Sequence, residues 1–238
     1  MTTLLAMHGW AGDGRSWATF ATAAAERGWT WLAVERGYGG RPPCEPAWRG
    51  EGPRVLIAHS LGMHLLPPQV LAGAEAVVLL ASFGRFVPVG PSGRRLRTAL
   101  AGMRTALAGS ASEAGAMLAS FLAEATAPIP LAALPTSILE QPLPPAGQAR
   151  LLADLELLEA TAGLPEAFPR QAPCLIVEAG ADRIVAPEAS GALRQSLPHA
   201  DHLLLQGAGH GLLATPVVPM VIGWIAGSSN GARPQPPA

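Results

Sequence analysis

Six short apolar runs alternate along the chain with segments of helical composition. This alternation is typical of a parallel β-sheet whose strands are joined by crossover helices, because strands buried on both faces read as continuous apolar runs. We therefore predict an α/β fold with one parallel sheet. The predicted strands are 3–7, 30–34, 54–58, 76–80, 174–179 and 202–205. The predicted helices between them are 17–27, 61–71, 187–197 and 216–225, with a proline pair at 67–68 that should kink or shorten the second.

The strand signal disappears between residues 83 and 170, where alanine, leucine and proline dominate. Apolar residues at helical spacing predict helices at 96–107, 113–124 and 151–162. We expect residues 83–170 to form a helical lid inserted into a single domain that spans residues 1–238. The glycine-, serine- and proline-rich tail at 227–238 is expected to fray.

Composition and charge argue against several classes of protein. Hydrophobic residues make up 49% of the chain, but no apolar run approaches the roughly 20 residues that span a bilayer. The net charge of −1 gives no overall field that favours nucleic acid or an anionic membrane. No basic region precedes the first apolar stretch, so we expect no signal peptide and a cytoplasmic protein. Neither the two cysteines nor the histidines have metal-ligand spacing, and we expect no metal or cofactor.

The basic residues are unevenly distributed. All 16 are arginine, and five of them lie in a stretch from residue 76 to residue 112 that contains no acidic residue. Two interpretations stay open: a solvated helix face, or a surface that docks an acidic partner. The five are Arg85, Arg94, Arg95, Arg97 and Arg104.

The predicted strand at 54–58 runs directly into the pentapeptide Ala58-His59-Ser60-Leu61-Gly62. This pattern is typical of a nucleophile elbow, in which a serine on a sharp strand-to-helix turn exposes its hydroxyl and small neighbours avoid a backbone clash. The usual pattern has glycine where this chain has Ala58, a departure of one methyl group. Ser60 is therefore the candidate nucleophile.

A serine hydroxyl needs a base to take its proton and a third group to orient that base. Asp182 follows the predicted strand at 174–179, and His210 lies in a small-residue loop after the next strand. The chain order serine, aspartate, histidine is that of the α/β-hydrolases. The sequence therefore predicts a catalytic triad of Ser60, Asp182 and His210.

Other titratable residues are weaker candidates for the triad. His59 is next to Ser60 and is expected to point away from the reacting face, and His64 is expected to be a packing residue. Asp154 belongs to a lid helix, while Asp13 and Asp201 lack a preceding strand to aim them.

Acyl transfer also needs donors for the developing oxyanion. In this arrangement they are backbone amides, one after the nucleophile and one in the loop after the first strand. We therefore predict an oxyanion hole formed by the amides of Leu61 and Trp10.

Together, these residues resemble the α/β-hydrolase superfamily over nearly the whole chain. The resemblance implies a mostly parallel sheet and a helical lid. Because the first predicted strand begins at residue 3, we expect about six strands, without the two that often open the sheet in that superfamily. Within the superfamily the chain most resembles the pimeloyl-acyl carrier protein methyl ester esterases of biotin synthesis. The matching features are the tryptophan of His8-Gly9-Trp10, the second tryptophan Trp17 and the lid stretch 154–158.

This narrower resemblance implies a serine carboxylesterase that hydrolyses the methyl ester of a pimeloyl chain carried by acyl carrier protein. Arginines in the family's lid hold the acidic carrier, and Arg94, Arg95, Arg97 and Arg104 lie in the corresponding region. One alternative is a hydrolase of free small esters, thioesters or carbon–carbon bonds, which would not need these arginines. A catalytically dead binding module would have lost a triad residue, and all three are present.

Overall fold

Six parallel strands form one sheet in the computed structural model, which describes residues 1–134, 136–212 and 217–229. The spatial order is β2-β1-β3-β4-β5-β6. The strands are β1 (Thr3–Met7), β2 (Thr30–Val34), β3 (Arg54–His59), β4 (Ala76–Leu80), β5 (Cys174–Ala179) and β6 (Asp201–Leu205). All six predicted strands are present, and two of them extend one residue beyond the prediction.

Helices cover both faces of the sheet. They are α1 (Ala18–Glu26), α2 (Pro68–Ala72), α3 (Pro91–Ala108), α4 (Ala111–Thr126), α5 (Pro145–Ala160), α6 (Pro187–Ser196) and α7 (Val217–Ser229). Because side chains alternate along a strand, Leu4 and Ala6 of β1 pack on one face in a core that includes residues of α1 and α7. Leu5 and Met7 pack on the other face, in a core that includes residues of α2 and α6.

The lid consists mainly of α3, α4 and α5, which lie in the chain between β4 and β5. Their buried apolar residues share a third core with Trp10 and Leu61, which follow β1 and β3. Since the carboxyl ends of parallel strands lie at one edge of a sheet, the lid covers that edge.

Proline and capping residues explain where the helix ends differ from the predictions. The helices α3 and α5 begin earlier than expected, at Pro91 and Pro145, because proline is tolerated in the first turn, where its missing amide has no intrahelical partner. The helix α4 begins after a capping box formed by Ser110 and Glu113.

The predicted helix at 61–71 is divided into two pieces. A 3₁₀ helix covers Ser60–Leu65, and α2 begins only at Pro68. Leu66 and Pro67 between them are extended, which fits the steric restriction that each proline places on the residue before it.

At the C-terminal end, α7 runs from Val217 to Ser229. Residues 227–229 are thus helical, although the sequence predicted fraying from residue 227. Residue 216 of the predicted helix and residues 230–238 of the predicted tail lie outside the described residues.

In the described ranges, no helix is both long and apolar enough to cross a lipid bilayer. No three histidine, cysteine, aspartate or glutamate side chains in the same ranges are grouped so as to hold a metal ion.

The two cysteines should differ in reactivity. Burial in β5 raises the pKa of the Cys174 thiol to about 12, whereas Cys44 is exposed. Because the thiolate is the reactive form, an aromatic disulfide reagent at pH 8 should modify Cys44 in the native protein and Cys174 only after denaturation. Thiol titration of wild type and of Cys44→Ser measures this. Equally fast reaction of both thiols in the native protein would contradict the packing of β5.

Candidate active site

The backbone turns sharply at Ser60, where β3 ends. Ser60 has a φ angle of 55°, in the left-handed region that residues other than glycine rarely adopt. The turn is crowded, because a Cβ atom at Gly62 would lie 2.5 Å from the carbonyl oxygen of Met7. Ala58 takes the place of the usual glycine, and its methyl group is fully buried in the sheet core that contains Leu56. The sheet core therefore accommodates Ala58, the one departure from the elbow pattern.

The three predicted triad residues lie together at the carboxyl edge of the sheet. His210 Nε2 is 3.0 Å from Ser60 Oγ, and His210 Nδ1 is 2.9 Å from Asp182 Oδ2. Ser60 and His210 are only 5% and 3% exposed, so these polar contacts are shielded from bulk water. The geometry allows Nε2 to accept the serine proton while Nδ1–H donates to the carboxylate.

The Asp182 carboxylate is held in place by the backbone that follows it. Its Oδ1 atom accepts hydrogen bonds from the amides of Ile184 (2.7 Å) and Val185 (2.9 Å), which leaves Oδ2 for His210. Burial raises the pKa of Asp182, but the hydrogen bond with His210 and these two amides outweigh burial and lower it. The carboxylate is therefore ionised at neutral pH.

The loop after β1 lies directly against Ser60. A Cβ atom at Gly9 would be 2.7 Å from Ser60 Cβ and 3.2 Å from its Oγ. The amides of Trp10 and Leu61 donate no hydrogen bond to any group in the described part of the chain. The two predicted oxyanion donors are thus near the hydroxyl and available to a ligand.

His8 fixes the start of this loop. Its Nδ1–H donates to the carbonyl of Gly9 (2.9 Å), and its Nε2 accepts the amide of Arg36 (3.1 Å). Both ring nitrogens thus take part in holding the loop, Nδ1 as a donor and Nε2 as an acceptor. Sequence reasoning treated His8 only as a marker of the loop, because its partner Arg36 follows a different strand.

The expectation for His59 is wrong. Its ring centroid lies 4.9 Å from that of His210, and its Nε2–H donates to the carbonyl oxygen of His210 at 2.9 Å. Burial and the neighbouring His210 lower the pKa of His59 to about 3, so its ring is neutral. Adjacency to Ser60 in the sequence could not reveal this contact, because His210 lies 151 residues further along the chain.

Two aspartates have roles that sequence reasoning missed. Asp154 is 2% exposed and accepts hydrogen bonds from Arg36 Nε and Nη2 (2.6 Å each) and from the Tyr38 hydroxyl (2.7 Å). Its place beside Leu155, on the apolar face of a lid helix, was a signal that it has a buried partner. Asp201 accepts the indole N–H of Trp224, which connects β6 to α7.

His64 stacks on Phe83, in the packing role expected of it.

The four arginines predicted to bind a carrier divide into two groups. Arg94, Arg95 and Arg97 are exposed on α3, and their side chains have no partner within the described residues. Arg104 instead forms an ion pair with Glu159 of α5, so its guanidinium is less free than those of the other three to contact a partner. Sequence spacing could not show this pair, because 55 residues separate its members.

A cavity of about 100 Å³ lies beside His210, between the loop after β1 and the lid. It is smaller than the engineered cavity of about 150 Å³ that binds benzene in another protein. The cavity therefore has room for a small group next to the triad. Its apolar lining includes Trp10, Phe121, Leu122, Leu134 and Ile138.

Comparisons with known proteins identify the fold of this chain. No protein-family model and no curated protein sequence matches the chain. A thermophilic esterase from Thermogutta terrifontis matches it with a TM-score of 0.70 at 17% identity, over 96% of this chain and 90% of the esterase. The chain has the α/β-hydrolase fold. The predicted fold class is confirmed.

Two further structures support this assignment. An esterase from Exiguobacterium antarcticum has a TM-score of 0.72 at 12% identity and covers 97% of this chain and 92% of its own. The type II thioesterase BorB from the borrelidin biosynthetic cluster has a TM-score of 0.61 at 19% identity, with coverages of 96% and 92%. At such identities the likeness concerns the fold, and the narrower resemblance to pimeloyl esterases stays a prediction.

The lowered pKa of His59 predicts a pH-dependent stability. The folded state holds this ring neutral down to about pH 3, while the unfolded chain protonates it near 6.5. The unfolded state therefore binds more protons below pH 6.5, and stability must fall as the pH falls from there towards 3. Glutamine cannot titrate in this range. In His59→Gln, the drop in the free energy of unfolding from pH 6.5 to pH 4.5 should therefore be smaller than in wild type by up to about 3 kcal/mol.

Urea unfolding of wild type and His59→Gln across this pH range measures the effect. The matched control is His199→Gln, at an exposed histidine. Parallel pH curves for wild type and His59→Gln would show that His59 is not held neutral by its surroundings.

Proposed function

We propose that this protein is a serine hydrolase of carboxylic esters. The observation that carries the proposal is the continuous chain of contacts from Ser60 Oγ through His210 to Asp182, at 3.0 and 2.9 Å. Such a series of contacts removes the hydroxyl proton during attack and then donates it to the leaving group. The matched esterase structures add support at the level of the fold.

In the first half of the reaction, Ser60 Oγ attacks the ester carbonyl while His210 Nε2 accepts its proton. The carbonyl oxygen becomes an oxyanion that accepts hydrogen bonds from the amides of Trp10 and Leu61. His210 then donates the proton to the departing alkoxide, which leaves as an alcohol, and the acyl group remains on Ser60. Asp182 holds the imidazole in the productive tautomer and stabilises its positive charge.

In the second half, water attacks the acyl-enzyme and His210 takes one of its protons. Collapse of the second tetrahedral intermediate breaks the bond to Ser60, and His210 returns the proton to the serine oxygen. The products are the carboxylic acid and a regenerated hydroxyl. Both halves use the same base and the same oxyanion donors, so the geometry of one site serves each step.

The substrate that we propose is the methyl ester of a pimeloyl chain carried by acyl carrier protein, in the cytoplasm. The unpaired arginines Arg94, Arg95 and Arg97 on the lid support an acidic macromolecular partner. They lie within a stretch of 37 residues, 76–112, that has no acidic side chain. Methanol is a small leaving group, and the cavity beside His210 is compatible with a methyl ester.

A second candidate substrate class is free small esters. The cavity of about 100 Å³ favours it, because a group that fills the cavity need not be attached to a carrier. Under this hypothesis the exposed arginines are a solvated face of α3.

The proposed triad predicts a specific ranking of variants. Ser60→Ala or His210→Ala should lower the turnover of a small ester by roughly a millionfold, and their combination should add little because the residues act as a unit. Asp182→Asn should lower turnover by about four orders of magnitude through the wrong imidazole tautomer. Asp201→Asn is the matched control and should keep turnover, because its carboxamide oxygen still accepts the Trp224 indole N–H.

Steady-state kinetics with purified variants of wild-type thermal stability measure the ranking. More than a few per cent of wild-type activity in Ser60→Ala would overturn the nucleophile assignment. A larger loss in Asp201→Asn than in Asp182→Asn would overturn the choice of aspartate.

Charge reversal on the lid separates the two substrate classes. Replacing Arg94, Arg95 and Arg97 with glutamate should lower kcat/KM for a carrier-bound methyl ester at least tenfold, because electrostatic attraction speeds encounter and charged contacts hold the carrier. Hydrolysis of a free methyl ester should change little. Added salt should reduce the wild-type preference for the carrier-bound ester, since the Debye length of about 8 Å at physiological ionic strength shortens.

The control is a triple glutamate variant with the same change in net charge at the exposed residues Arg27, Arg49 and Arg170. Equal losses on both substrates would indicate lid damage, and no loss on either would favour the free esters. Growth of a biotin auxotroph that lacks its own pimeloyl ester esterase is the cellular test. Failure to restore growth despite full esterase activity in the extract would contradict the pimeloyl substrate.

A further inference from the structure

The side chain of Trp10 is held by the lid. Its indole N–H donates to the carbonyl oxygen of Leu151 at 2.8 Å, in the middle of α5. Its ring also packs edge-on against Phe121 of α4, with centroids 4.8 Å apart and an interplanar angle of 83°. Trp10 is 5% exposed. The residue that supplies one of the proposed oxyanion amides is thus fixed by two lid helices.

A second connection also joins α5 to this loop. Asp154, three residues after Leu151, holds the guanidinium of Arg36 with both carboxylate oxygens. The amide of Arg36 donates to His8 Nε2, and His8 Nδ1–H donates to the carbonyl of Gly9. Through this series of contacts α5 reaches the residue just before Trp10.

The loop itself has little regular structure to hold it. Residues 8–13 belong to neither a strand nor a helix, and the turn is closed by one backbone hydrogen bond, from the Gly12 amide to the Gly9 carbonyl at 3.1 Å. Ala11 has a φ angle of 55°, an unfavourable conformation for alanine. The orientation of the Trp10 amide must therefore depend on its side-chain contacts with α5 and α4.

We propose that Trp10, through its indole, and Asp154, through Arg36, are positioning residues that aim the Trp10 amide at the oxyanion. This inference rests on the proposed ester hydrolysis at Ser60 and assigns a part in catalysis to the lid helix α5. A misplacement of about 1 Å can cost on the order of a hundredfold in rate, and loss of one oxyanion donor costs a similar factor or more. The contacts with α5 are thus expected to act on kcat.

The central test is Trp10→Phe, which keeps the backbone amide and an aromatic ring beside Phe121 but removes the indole N–H. With a small free ester, kcat should fall roughly tenfold to a hundredfold while KM stays within about threefold. Affinity for a trifluoromethyl ketone should fall by the same factor as kcat/KM. This inhibitor adds to Ser60 Oγ and forms an oxyanion that the same amides bind, while the serine proton passes to His210.

Trp48→Phe is the matched control. It removes an indole N–H that donates at 2.9 Å to the carbonyl of Val70, another helix carbonyl, away from the proposed oxyanion hole. All rates are divided by the concentration of Ser60 that a fluorophosphonate titrates, so that misfolded protein does not count. Trp48→Phe should keep its kcat and its inhibitor affinity.

Asp154→Asn is a second variant. It removes the negative charge that holds the guanidinium of Arg36 but keeps a side chain of the same shape. It should lower kcat and inhibitor affinity together, by a smaller factor than Trp10→Phe. Wild-type kcat per titrated site in Trp10→Phe would overturn the inference, as would a rise in KM alone, which would mean that the indole binds substrate. Failure of the proposed function is distinguishable, because Ser60→Ala would then stay active and the fluorophosphonate would not label Ser60.

Discussion

The left-handed backbone of Ser60 is the constraint on which the rest of this site depends. It ends β3 abruptly, raises the hydroxyl to the edge of the sheet and brings Gly62 so close to Met7 that only glycine fits. A residue in this conformation costs on the order of 1–3 kcal/mol and persists only where its surroundings enforce it. Here the surroundings are the flanking strand β1, the loop that follows it and the loop that carries His210.

Parallel strands explain why residues distant in sequence meet at this point. The loops after β1, β3, β5 and β6 all leave the same edge of the sheet, and they carry Trp10, Ser60, Asp182 and His210 respectively. The lid then covers this edge and excludes water, which strengthens each polar contact beneath it. The contacts of Trp10 and Asp154 with α5 connect the lid to the loop that lies against Ser60.

Local sequence rules predicted the strands, the elbow and the triad residues that the structure brings together. The reason is physical: a buried parallel strand leaves an apolar run, and a crowded turn leaves small residues such as Gly9 and Gly62. The same rules missed His59, Asp154 and Arg104, because each is defined by a partner from another part of the fold. His59 contacts the backbone of His210, Asp154 contacts Arg36, and Arg104 pairs with Glu159.

The central claim is that an acyl group passes through Ser60, and direct detection of that intermediate tests it most sharply. The enzyme is mixed with a chromogenic acetate ester, quenched in acid within milliseconds, digested and mapped by mass spectrometry. The account predicts one acetyl group on the peptide that contains Ser60, formed at the rate of the initial burst and lost at the rate of steady-state turnover. Turnover without acetylation of Ser60, or with an acetyl group that forms on another residue at the burst rate, would contradict it.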